Sequence, residues 1–121
     1  MKEGSALIDQ LVQVAPELEE AYHEHMQKYG ELLAHVLMGE FTRWFIRSCR
    51  SIAANSERTD LVAERDAFIR VLDTGLIQGD EATQEVILAS FLENLHQAGN
   101  DYGLVRAALT EGLRERLKLM E

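Results

Sequence analysis

The sequence predicts an all-α, single-domain bundle of about six helices. Three observations point there. Apolar residues recur at intervals of three and four through most of the chain, no alternating apolar and polar run persists between turn signals, and 121 residues include one proline. With 46% hydrophobic and 27% charged residues, the chain can bury a core and is too apolar for a disordered tail.

Ser5 is expected to cap a first helix that turns Leu7, Ile8, Leu11 and Val12 inward and stops before Pro16, whose ring disfavours helical geometry in the preceding residue. Pro16 suits the first turn of the second helix. There Glu17, Glu19 and Glu20 favour the positive N-terminal end, and Leu18, Tyr22, Met26 and Tyr29 form the apolar stripe. After Gly30, "ELLAHVLM" reads as a short helix or an apolar connector. It leads into "GEFTRWFIRSCR", the third helix. Placing successive residues about 100° apart puts Phe41, Trp44, Phe45, Ser48, Cys49 and Ile52 on one side, with Arg43, Arg47 and Arg50 nearly opposite.

"AANSERTD" is the densest polar loop signal. The fourth helix, in "DLVAERDAFIRVLDTGLI", turns Leu61, Phe68, Leu72 and Leu76 inward. Gly79 breaks the chain, and Asp80 offers a carboxylate to the free N–H groups of the fifth helix. That helix carries a large stripe (Ile87, Leu88, Phe91, Leu92, Leu95) and a small one (Ala82, Val86, Ala89, Ser90), and is expected to be the most buried. A short turn makes helices four and five an antiparallel hairpin. Gly99, Asn100 and Asp101 form the last turn, before a final helix lined by Val105, Ala108, Leu109, Leu113, Leu117 and Met120.

The net charge of −9 is unevenly spread: residues 1–40, 41–58, 59–101 and 102–121 carry −6, +3, −7 and +1. Such a field repels phosphate backbones and anionic lipid and attracts basic proteins, so neither nucleic acid nor a membrane is expected as partner. One cysteine cannot form an internal disulfide, no apolar run reaches the ~18 residues of a membrane span, and the first residues do not read as a secretion signal. A cytoplasmic protein is expected.

No catalytic, cofactor or metal motif emerges. The imidazoles of His23 and His25 would project about 200° apart on a helix and cannot share an ion. His23 and His35 each follow a glutamate by four residues, a common pairing on solvent faces. A calcium loop starting at Asp73 fails because Gly75 and Ile77 stand where oxygen ligands are required. Cys49 shares the aromatic stripe and reads as a buried, inert thiol. Candidate residues for contact with a protein partner are the acids Glu17, Glu19, Glu20, Glu24, Asp80, Glu81 and Glu85, and the arginines Arg43, Arg47 and Arg50. The arginines also suit internal pairing, for example of Glu40 with Arg43 or Arg47.

"GDEATQEVILASFLENL" resembles the second half of a HEAT-type repeat, a unit of roughly 40 residues. "ELLAHVLMGEFTRWF" (31–45) and "LDTGLIQGDEATQEVILASFLENL" (72–95) resemble a family of small, largely uncharacterised bacterial helical proteins that look like immunity proteins. The resemblance implies binding and occlusion of a cognate toxin without catalysis, and no cofactor. A scaffold or adaptor subunit is the alternative expectation and an unrecognised enzyme the third. The oligomeric state and the toxin's chemistry are left open.

Overall fold

In the computed structural model, which describes residues 3–121, every expected segment is helical and no strand occurs among the described residues. Helices α1 (Ser5–Val14), α2 (Leu18–Tyr29), α3 (Ala34–Ala54) and α4 (Thr59–Gln78) are followed by α5 (Glu81–Ile87). The path of α5 continues through a π-helical turn (Leu88–Leu92) and a 3₁₀ stretch (Glu93–Asp101), which Gly99 breaks at φ +57° where a turn is expected, and α6 (Tyr102–Ala107) and α7 (Glu111–Met120) follow.

Several boundaries differ from expectation. Gly4, in left-handed geometry at φ +81°, occupies the cap position of α1 and Ser5 is already helical. A Cβ at residue 4 would lie 3.0 Å from the Ala34 Cβ and 3.5 Å from Val86, so the chain enters α1 tight against the start of α3. Ala15 leaves helical geometry ahead of Pro16, as the ring requires. The connector "ELLAHVLM" and the arginine helix are one helix: α3 begins at Ala34, where the chain anchors itself to His25. That histidine is 5% exposed and accepts a 2.9 Å hydrogen bond from the Leu33 N–H. The inward face of α2 is accordingly Leu18 and His25; Tyr22 and Met26 are half-buried and Tyr29 is exposed.

The final helix is broken. Thr110 accepts from the Leu113 N–H and donates to the Asp73 carboxylate at 3.0 Å, capping α7 and tying it to α4. Met120 is exposed, whereas Val105, Leu109, Leu113 and Leu117 are buried as expected.

The most buried element is α3, with ten of its 21 residues buried against seven of 21 from Glu81 to Asp101. The reason is its position: α3 packs on α1, α2, α4, the fifth segment and α6, so neighbours enclose it on several sides. Its Phe45 meets Phe68 of α4 and Phe91 of the π turn at centroid distances of 5.9 and 5.3 Å, with Phe68 and Phe91 5.9 Å apart. All three rings are fully buried. Offset and edge contacts of this kind add to the area they hide.

The hairpin of α4 and the fifth segment is antiparallel. Gln84 donates to the Leu76 carbonyl, Gly75 faces Thr83 and Ile87, and Phe68 meets Phe91, each pair lying about equally far from the turn at Gly79 and Asp80. Asp80 caps as expected, accepting from the Thr83 N–H at 2.8 Å.

Candidate functional site

The antiparallel pair of α2 and α3 brings the acidic helix beside the arginine helix. At one end Glu17, Glu20 and Arg47 line a polar groove of about 450 Å³ with Trp44 and Arg58. Here Glu17 accepts a 3.0 Å hydrogen bond from the Trp44 indole, so the tryptophan is core by its ring and anchored by its edge. Arg58 pairs with Asp60 at 3.3 Å, whereas Arg47 makes no hydrogen bond or ion pair among the described residues.

The other two arginines are engaged internally. Arg43 pairs with Glu40, as the spacing predicts. Arg50 donates to Asp101 at 2.7 Å and to the Ala98 carbonyl at 3.0 Å, fastening α3 to the end of the 3₁₀ stretch. All three are exposed. The stripe is therefore a wet face on which Arg47 alone has its guanidinium unused.

Two turns back along α3 the surface changes character. Val36, 44% exposed, lies where two grooves meet. The smaller holds Glu24, Lys28, Tyr29 and Glu40; the larger, about 690 Å³, has an apolar floor of Leu32, Leu33, Ala82 and Val86, with Glu3 and Glu85 among its lining. Lys28 is the only Lys or Arg lining either groove among the described residues, and it lies 5.3 Å from the Tyr29 ring.

The remaining acids are dispersed. Glu19 pairs with His23 at 3.3 Å, Asp80 is held by its cap, and Glu81 is exposed in the first turn of α5. The ten candidates thus divide among two ends of one seam and several separate positions.

Polar residues that periodicity could not single out shape the site from below. Thr42, fully buried, places its hydroxyl 2.7 Å from the Met38 carbonyl and 2.9 Å from the Ser90 carbonyl. Asn94 donates to the same Ser90 carbonyl, so the widened turn keeps that oxygen satisfied. His35 Nδ1 and Ser90 Oγ share a 2.6 Å hydrogen bond that joins the start of α3 to the π turn beside the larger groove. Near Glu17, burial raises the carboxyl of Glu64 above its ordinary value, with Glu17 and Asp60 adding to the effect, and its Oε2 has no hydrogen-bond partner.

Among the described residues no three His, Cys, Asp or Glu side chains converge on a point that could hold a metal ion. Cys49 is buried and its thiol is pushed up to about 11 by burial. No described helix is long and apolar enough to cross a membrane.

A family model described as a domain of unknown function (DUF7674) matches residues 8–119. No curated protein and no solved structure matches the chain.

Proposed function

The chain belongs to the DUF7674 family, and from that premise we propose that it is a protein-binding module, specifically a cytoplasmic bacterial immunity protein that binds a cognate toxin and occludes it. The observation that carries this reading is the exposed seam of α2 and α3. There, glutamates, an unused guanidinium and solvent-exposed Val36 and Tyr29 share one surface on a molecule of net charge −9. Acids around apolar contact area suit a basic partner: steering speeds encounter and apolar burial slows release. The action is occlusion, with no chemistry performed by this chain and no cofactor.

Coexpression with the product of an adjacent gene tests the reading. A tight one-to-one complex is expected on gel filtration, weakened when Glu20, Glu24 and Glu85 are reversed to lysine. Recovery of no protein partner from the native host, together with turnover of a small molecule, would overturn it.

A further inference from the structure

We propose that the groove between the start of α3 and α5 receives the apolar face of a basic amphipathic helix contributed by the partner protein. This deepens the function proposed above and rests on it.

Three observations select the place and the occupant. First, the floor is apolar and built from different parts of the chain: Leu32 and Leu33 from the connector, Val36 from α3, Ala82 and Val86 from α5. Second, the size fits. Two helical turns are about 11 Å long and 10–12 Å across, roughly 850–1,200 Å³, so about half of that volume fits within a 690 Å³ groove. Third, the charge around the floor is mainly negative. Glu3 and Glu85 line the groove and Glu24 lines its continuation past Val36, where Glu40 is already paired with Arg43 and Lys28, the one Lys or Arg lining either groove among the described residues, lies against Tyr29. A helix with leucine-like residues on one face and lysine or arginine at the margins meets both features; an acidic amphipathic helix meets only the first.

The walls are held in place without the ligand. His25 fixes the Leu33 N–H, and the hydrogen bond of His35 to Ser90 fixes the opening turn of α3 against the fifth segment. A preformed groove loses less ordering entropy on binding than one assembled around its occupant.

The test uses the whole chain and a fluorescein-labelled 18-residue Leu/Lys amphipathic helix, followed by anisotropy, with two control peptides: one of the same composition with its leucines scattered around the helix, and a Leu/Glu amphipathic helix. The Leu/Lys helix is expected to bind and both controls to bind at least tenfold more weakly. Val36→Glu separates the contributions, because it adds a negative charge that would favour a lysine peptide while spoiling the apolar floor. It is expected to weaken binding about tenfold, as loss of a central contact does. Glu85→Lys is expected to weaken it as well, and Glu115→Lys, outside both grooves, to leave it unchanged. Amide shift changes in the unmodified protein should cluster at Leu33, Val36 and Ala82, which keeps the test sound should a variant fold poorly.

Tighter or unchanged binding by Val36→Glu, equal binding of the scattered peptide, or shift changes away from the groove would overturn the inference. So would concentration-dependent self-association abolished by Val36→Glu, which would make a second copy the occupant. If Val36→Glu instead leaves a one-to-one complex with the adjacent gene's product intact, the groove assignment fails while the immunity reading stands. Absence of any such complex removes that reading whatever the peptide does.

Discussion

Single side chains carry more of this fold than their spacing announces. His25 sits on the acidic helix, where the apolar rhythm predicts Tyr22, Met26 and Tyr29 inward, yet it is His25 that is buried, because its Nε2 accepts the Leu33 N–H. Nothing local to residues 18–29 encodes that bond; its donor lies eight residues on, across the turn at Gly30. Removing the imidazole would leave a backbone donor unpaired. His25→Ala is expected to lower unfolding free energy by about 1–3 kcal/mol in urea titration, with His25→Gln, which can still accept, losing less. Glu64 presents the opposite case, a carboxylate whose surroundings disfavour its charge. For an acid held above its unfolded value, the penalty is present while the group is ionised and vanishes once the pH falls below that unfolded value. Glu64→Gln should therefore raise the thermal midpoint modestly at pH 7 and lose the advantage below about pH 4. Asp80, held below its ordinary value by the Thr83 hydrogen bond, behaves in the reverse sense: its contribution is full above the unfolded value and is lost as pH falls through the folded one.

At the level of elements, what periodicity predicts is where helices run, and what it misses is where they are interrupted. Leu109, Leu113 and Leu117 recur every four residues straight through the break before α7, so the apolar pattern conceals it. The signal was present in Thr110, a good cap residue followed by an acid, but its pull depends on Asp73, 37 residues earlier. The π turn was likewise hidden. Ile87, Phe91 and Leu95 keep an ordinary interval, and only Thr42 and Asn94, reaching the Ser90 carbonyl, reveal how the widened turn is satisfied. The hairpin turn, by contrast, was legible from Gly79 and Asp80. A Cβ on Gly79 would overlap the Gly75 carbonyl oxygen, a backbone atom that cannot step aside. Gly79→Ala is expected to destabilise by about 1–3 kcal/mol, the usual range for overpacking, read as a lower midpoint in thermal or urea unfolding.

Across the whole molecule, the sequence identifies the charged faces but not which charges are already spoken for. Arg50 and Asp101 are 51 residues apart, and no spacing rule joins them; Arg43 and Glu40 are three apart and were legible. The same holds for the groove beside Val36, whose walls come from three separated stretches. With a net charge of −9, the folded state repels itself. Raising sodium chloride from about 0.02 to 0.5 M shortens the screening length severalfold and is expected to raise the thermal midpoint while slowing association with a basic partner, measurable by calorimetry and stopped flow. One further property follows from the lone Trp44. Its indole bridges to Glu17 and stands 5.2 Å from the Phe68 ring, so the chain contains its own optical gauge of whether α2 remains docked on α3. A ligand seated near Arg47 would alter the emission spectrum directly, whereas one seated at Val36, about 12 Å along the same helix, would leave the colour of the light almost untouched.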